Sequence, residues 1–166
     1  MDGARWVALQ PGARWDNKRW PVEHFCQLVR TVAKNYPTVR FAVLGGPDDH
    51  ALGAKISQAA SDRVLNLCGA TSLPEMIEFL RRCDLLITND TGPMHVAAAL
   101  GKPLIALFGP TAPERTGPYG QLQNVLRINL PCAPCLKSDC HYKQPLECLR
   151  GLSPALVSQR ISAILS

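Results

Sequence analysis

The chain has 166 residues, of which 46% are hydrophobic and 19% are charged, and its formal net charge is +5. This composition is typical of one globular domain and excludes a disordered chain, which has fewer aliphatic residues and more charge. No apolar run approaches the roughly 18 residues that a membrane span needs. Residues 1–5 lack the hydrophobic stretch of a signal peptide. We therefore exclude membrane-spanning and secreted-scaffold proteins and expect a cytoplasmic location.

Short apolar runs alternate with amphipathic stretches along the chain. Ser72 and Glu75 form the pattern of a capping box, and Ser153 followed by Pro154 is typical of a helix start. In chain order the pattern predicts strand 6–10, helix 21–36, strand 40–44, helix 48–60, strand 63–67, helix 72–82, strand 84–88, helix 93–100, strand 103–108, loop 109–120, strand 125–129 and a final helix from residue 154.

Strands that alternate with helices at this spacing indicate an α/β fold, a doubly wound parallel sheet of the Rossmann-like type. Several of the strands are almost entirely apolar, as expected where helices cover both faces of the sheet. In such sheets ligands bind beyond the carboxyl ends of the strands. The candidate functional residues are therefore those that directly follow each predicted strand.

The most informative of these segments is 88–95, which joins a buried strand to a short helix. Gly92 and Pro93 allow a ligand to approach the start of that helix, where free N–H groups and the positive helix end favour an anion. Asp90, Thr91 and His95 lie beside it. We interpret the segment as a pyrophosphate cradle, with Asp90 serving sugar hydroxyls or holding the loop. The alternative is that Asp90 or Thr91 only caps the helix and His95 is structural.

Two other strand ends carry candidate ligand-binding residues. Arg14 and Lys18 follow the first strand and could neutralise phosphate charge; the alternative is an exposed basic loop in which Trp20 packs as an anchor. Asp48 follows the second strand, where an acidic residue often accepts hydrogen bonds from a ribose, although Gly, Pro and Asp are also ordinary turn residues. The fingerprints G-x-G-x-x-G and G-x-x-x-x-G-K-[ST] are absent.

Basic charge favours anionic partners, but the lysines and arginines are scattered, which argues against nucleic acid. The C-terminal quarter holds four cysteines, whereas the other three lie singly in apolar stretches and read as core residues. The spacing C-x2-C-x4-C-x7-C leaves three interpretations open: a zinc or iron–sulfur site, redox or partial disulfide chemistry, and metal-free packing. The four residues are Cys132, Cys135, Cys140 and Cys148.

Three segments resemble one known family. They are PGARWDNKRWP at 11–21, TNDTGPMHVAAA at 88–99 and LFGPT at 107–111. This pattern is similar to glycosyltransferase family 9, and within it to the ADP-heptose:lipopolysaccharide heptosyltransferases, nearest to the heptosyltransferase II group. The resemblance covers almost the whole chain.

The resemblance implies a GT-B architecture, in which two Rossmann-like domains face each other across a cleft. Residues 1–166 would be the C-terminal, nucleotide-sugar-binding domain, with a Cys-rich segment at 131–150, and the partner would be the chain's own N-terminal domain. Lys18 would contact the donor phosphates. The residues implied to line the diphosphate and sugar are Asp90, Thr91, Gly92 and His95, and those implied to surround the nucleotide are Arg14, Asp48 and Thr71.

The resemblance also implies an activity. The enzyme would transfer heptose from ADP-heptose to the lipopolysaccharide inner core with inversion, without a metal or other cofactor, at the inner face of the bacterial cytoplasmic membrane. The catalytic base is expected in the N-terminal half, so no catalytic residue is assigned here and this chain alone is expected to transfer little. Two alternatives are a nucleotide-sugar epimerase of the same architecture and a non-catalytic nucleotide- or metal-binding module.

Overall fold

The computed structural model describes residues 3–165. The expectation that no signal peptide begins the chain rests partly on residues 1 and 2, which lie outside that range. Six parallel strands form one sheet, in the order β3-β2-β1-β4-β5-β6. The strands are β1 Arg5–Gln10, β2 Val39–Val43, β3 Val64–Asn66, β4 Leu85–Asn89, β5 Leu104–Leu107 and β6 Val125–Leu126. The predicted doubly wound α/β fold is confirmed.

The helices connect successive strands, as predicted, but the structure departs from the predicted elements in several places. The predicted helix 48–60 starts with a 3-10 turn and ends at Ser57, the last strand has only two residues, and the predicted loop 109–120 contains a short helix that starts at Pro113. Proline sets this start because its ring fixes φ for the first helical turn. The helices are α1 Val22–Asn35, α2 His50–Ser57, α3 Leu73–Arg82, α4 Gly92–Ala99, α5 Pro113–Thr116, α6 Glu147–Arg150 and α7 Pro154–Leu165.

Helices cover both faces of the sheet, and this explains the apolar strands. Val7 and Leu9 of β1 pack in one core with the apolar sides of α1, α2 and α7. Ala8, between them, points to the other core, which α3 and α4 close. Successive strand side chains point to opposite faces, so a strand covered on both sides needs apolar residues at every position. Within residues 3–165, no helix is both long enough and apolar enough to cross a bilayer.

The strand order places a crevice between β1 and β4. From β1 the chain continues to β2 and β3 on one side, and it then returns to β4 on the other side of β1. The loops that follow β1 and β4 therefore diverge, and Gln10 pairs with Thr88 at the base of the gap between them. Such a switch point is where doubly wound sheets bind ligands.

The predicted capping box at the start of α3 is formed. The Glu75 carboxylate accepts hydrogen bonds from the Ser72 backbone N–H at 2.8 Å and from the Ser72 hydroxyl at 2.6 Å. Both hydrogen bonds lower the pKa of Glu75 from its ordinary value, and the one from the Ser72 hydroxyl has the larger effect. A charged Glu75 therefore stabilises the folded chain more than the unfolded one.

This lowered pKa predicts a pH-dependent effect of Glu75→Gln. The stabilisation is fully present above the ordinary carboxyl pKa of about 4.3, and it is lost as the pH falls through the lower pKa of the folded state. We expect the variant to unfold at lower denaturant concentration than wild type at pH 7, and the difference to vanish toward pH 3. Urea unfolding at both pH values measures it, and a difference that persists unchanged at pH 3 would contradict the prediction.

Candidate functional site

An open cleft of about 380 Å³ lies at the crevice between β1 and β4. Six of the eight predicted binding residues meet there, together with two residues that the sequence did not single out. The lining consists of Arg14, Trp15, Lys18, Asp90, Thr91, Gly92, His95 and Thr116. The loops after β1 and β4 thus form one site, although more than 70 residues separate them along the chain.

A lysine and an aspartate face each other across the cleft. Lys18 ends the 3-10 turn after β1, and its Nζ lies 2.8 Å from Oδ2 of Asp90 and 4.8 Å from the centre of the Trp15 ring. The same Asp90 oxygen accepts a hydrogen bond of 2.7 Å from the Thr111 hydroxyl. The Lys18 side chain is 19% exposed and that of Asp90 is 7% exposed. A ligand in the cleft therefore meets a cation whose position is fixed by a buried carboxylate.

The N-terminus of α4 opens into the same cleft. Thr91 occupies the N-cap position, yet its side chain makes no capping hydrogen bond. The Asp90 carboxylate is bonded to Lys18 and Thr111, so it is not a simple helix cap, while the roles of Asp90, Thr91 and His95 in ligand binding stay predictions. A Cβ on Gly92 would meet no atom within 4 Å, so the helix end borders open space. Uncapped N–H groups and the helix dipole favour an anion at this position.

Asn89, at the end of β4, holds the two loops together. Its Oδ1 accepts a hydrogen bond from the Trp20 backbone N–H at 3.1 Å, and its Nδ2 donates to the Pro11 carbonyl at 2.7 Å. The side chain is fully buried, so both bonds form away from water. Asn89 thereby fixes the loop that carries Lys18 relative to Asp90. The sequence signal for Asn89 is weak: an amide at the end of a mostly apolar strand.

Two of the predicted residues do not line the cleft. Asp48 is exposed in the turn after β2, and Thr71 is half-buried just before α3, so their proposed contacts with a nucleotide stay predictions. The neighbouring Asp49 is the acid that faces the β1 loop, because a Cβ on Gly12 would lie only 2.3 Å from its Oδ2. Two adjacent aspartates in a turn give no sequence signal for which one points inward.

The Cys-rich segment folds back against this site. The Asn17 side-chain amide donates to the Lys137 carbonyl at 2.8 Å, and the Leu136 N–H donates to the Pro110 carbonyl at 2.8 Å. All seven cysteines are free thiols, so the disulfide interpretation is not supported. The pKa of Cys148 is raised to about 11, mainly by burial and to a smaller extent by the neighbouring thiols. Within residues 3–165, no three histidine, cysteine or acidic side chains are already arranged to hold a metal ion.

Together these features define a class of protein: a Rossmann-like domain with a cleft at its topological switch point, where basic side chains meet an uncapped helix N-terminus. Comparison with known proteins gives the family. Residues 2–145 match the model of glycosyltransferase family 9 (heptosyltransferase), and the chain belongs to this family.

Curated relatives and solved structures agree with the family. Lipopolysaccharide heptosyltransferase 2 of Escherichia coli is 34% identical over an alignment of 167 positions that covers 96% of this chain and 46% of that protein. Lipooligosaccharide heptosyltransferase 2 of Campylobacter jejuni is 29% identical over 98% of this chain and 52% of that protein. The structure of E. coli ADP-heptose lps heptosyltransferase II matches with a TM-score of 0.83 and 28% identity over 99% of this chain and 47% of that one. The chain thus spans about half the length of these relatives.

Proposed function

We propose that this chain is the donor-binding half of an inverting glycosyltransferase that moves heptose from ADP-heptose to the lipopolysaccharide inner core. The observation that carries the proposal is the cleft in which Lys18 faces the uncapped N-terminus of α4. Its relatives are named heptosyltransferases, which favours transfer over the epimerase alternative. A solved relative at 25% identity, E. coli heptosyltransferase WaaC, is described as a complex with ADP.

The chemistry of the cleft suits a nucleoside diphosphate as leaving group. Negative charge grows on the diphosphate as the sugar–phosphate bond breaks. Lys18 and the N–H groups of α4 are held in place before the reaction, and fixed donors stabilise developing charge because they need no reorganisation. In this proposal no metal ion takes part in the transfer, since the lysine and the helix end supply the positive charge. Asp90, beside the same cleft, is placed to accept hydrogen bonds from sugar hydroxyls.

The rest of the proposed enzyme would supply what this half lacks. An acceptor hydroxyl must lose a proton as it attacks the sugar, and we assign that base to an N-terminal Rossmann-like domain of a GT-B architecture. The acceptor would be the lipopolysaccharide core, so the enzyme would work in the cytoplasm at the inner face of the membrane. The net charge of +5 favours such an anionic surface.

Calorimetric titration of this chain with ADP, UDP and GDP tests the proposed donor. We expect ADP to bind more tightly than the other two diphosphates. We also expect AMP to bind at least about tenfold more weakly than ADP, because loss of the outer phosphate removes a charge-assisted hydrogen bond worth about 1.5–3 kcal/mol. A preference for UDP would overturn ADP-heptose as the donor, and equal affinity for AMP and ADP would contradict a diphosphate site.

A further inference from the structure

Trp15 lines the cleft but has no part in the transfer described so far. Its side chain is half-buried, and the centre of its ring lies 4.8 Å from Nζ of Lys18. We propose that Trp15 is a positioning residue, whose ring holds the Lys18 ammonium where it can meet a diphosphate. This role rests on the proposed function, because it presumes a diphosphate in the cleft, and it adds a residue on which binding of that diphosphate depends.

The turn after β1 brings the ring and the ammonium to the same side of the backbone. Trp15 is the N-cap of the 3-10 turn Asp16–Lys18, and the Lys18 N–H donates to the Trp15 carbonyl at 3.0 Å. Side chains three residues apart in such a turn lie one above the other. The two residues between them differ in surroundings, since Asp16 is exposed and Asn17 is buried. The turn therefore directs Trp15 and Lys18 together into the cleft.

The distance between ring and ammonium suits a cation–π attraction. A cation within about 6 Å of a ring centre is attracted to the negative face of the ring, and tryptophan gives the strongest attraction among the aromatic residues. The Lys18 side chain is only 19% exposed, and charge–dipole attractions grow as water is excluded. The ring thus restricts where the ammonium can move before any ligand is bound.

Trp15 acts on Lys18 in a different way from Asp90. The Asp90 carboxylate lies 2.8 Å from Nζ and balances its charge, so it competes with a phosphate for the same cation. The indole carries no net charge, and it restrains the ammonium without competing for it. The ring also covers one side of Nζ, and partly covered ion pairs are screened less by salt. A phosphate therefore meets a cation that is held in place and still attracts it.

The alternative role for Trp15 is direct contact with the ligand, by stacking on a base or a sugar. Stacking would make Trp15 a binding residue in its own right, and its effect on affinity would not depend on Lys18. The Lys18 ammonium already lies over one face of the ring, which favours the positioning role.

Titration calorimetry with inorganic pyrophosphate distinguishes the two roles, because this probe has phosphates but neither base nor sugar. We expect Trp15→Leu to weaken pyrophosphate and ADP binding by the same factor, about 3- to 10-fold, the effect of losing a partly shielded cation–π contact. Trp15→Phe keeps an aromatic face and should lose less. Weaker ADP binding with unchanged pyrophosphate binding, or equal losses in the Leu and Phe variants, would overturn the proposal.

A matched control removes another half-buried tryptophan. Trp6 lies near the start of β1, away from the cleft, and its ring meets that of Phe79 edge to face. Trp6→Leu should leave pyrophosphate affinity unchanged. A loss in Trp6→Leu as large as that in Trp15→Leu would show a general effect of removing an indole, and it would contradict a role at the cleft.

A double-mutant cycle shows whether Trp15 acts through Lys18. In a chain that already carries Lys18→Ala, the further change Trp15→Leu should have little effect on ADP affinity, because the effects of residues that act together are not additive. Two losses that simply multiply would mean that Trp15 contacts the ligand independently, and they would overturn the positioning role.

A measurement without ligand separates failure of this role from failure of the proposed function. Protons that lie over a ring face are shielded, so the NMR signals of the Lys18 Cε methylene should be shifted upfield in wild type and return to their usual position in Trp15→Leu. Usual Lys18 signals in a wild-type chain that binds pyrophosphate would overturn the positioning role alone. Shifted signals in a chain that binds neither pyrophosphate nor ADP would overturn the diphosphate site, and the positioning role with it.

Discussion

Replacing Trp20 with alanine is expected to lower the free energy of unfolding by about 3–5 kcal/mol, the usual cost of removing a buried aromatic side chain. Trp20 is 1% exposed, and its ring meets that of Phe25 edge to face with centroids 4.8 Å apart. Its indole N–H donates to the Leu152 carbonyl at 2.8 Å. The variant would leave both a cavity and an unsatisfied carbonyl where the β1 loop, α1 and the segment before α7 meet.

Denaturant unfolding of three variants separates these contributions. Trp20→Phe keeps most of the buried area and loses the hydrogen bond, so it should cost less than Trp20→Ala. Trp15→Ala removes an indole of the same size that is only half-buried at the cleft, and it should cost the least. If Trp15→Ala destabilised the protein as much as Trp20→Ala, the anchoring role of Trp20 would be wrong.

The fold was predictable because both faces of the sheet are covered. Covered strands such as Leu104–Leu107 are apolar at every position and stand out against amphipathic helices. Short elements were not predictable: α6, from Glu147 to Arg150, has one turn and no room for a periodic pattern. The two-residue β6 was predicted too long because its partner strand, and not its own sequence, determines where pairing ends.

The site was predictable where its residues follow strands and less so where they depend on packing. Lys18 and Asp90 could be found because the carboxyl ends of parallel strands converge. Thr111 belongs to the family-like segment 107–111, but its hydrogen bond to Asp90 depends on how far the β5 loop reaches. The choice between Asp48 and Asp49 depends on a turn geometry that their identical side chains do not encode.

Lys18→Ala is expected to weaken ADP binding about 10- to 100-fold. A charge-assisted hydrogen bond contributes about 1.5–3 kcal/mol, and Lys18 is the lysine that lines the cleft among the described residues. The Lys18 side chain is 19% exposed, and its Nζ is already held by Asp90, so little conformational freedom is lost when a phosphate binds. Titration calorimetry of the wild type and the variant with ADP measures the change.

Two control variants show whether the effect is specific to this position. Lys34→Ala removes the same charge from the exposed last turn of α1 and should leave ADP affinity within about twofold, because salt screens distant surface charges. Lys18→Arg keeps the charge beside Asp90 and should retain a larger share of the affinity than Lys18→Ala. Because Lys18→Ala leaves the Asp90 carboxylate without its cation, the unfolding of each variant is measured alongside. If a fully folded Lys18→Ala protein binds ADP more weakly, the lost affinity belongs to the contact between Lys18 and the phosphates. If Lys18→Ala and Lys34→Ala lose the same ADP affinity, the effect comes from net charge alone and the specific role of Lys18 is wrong.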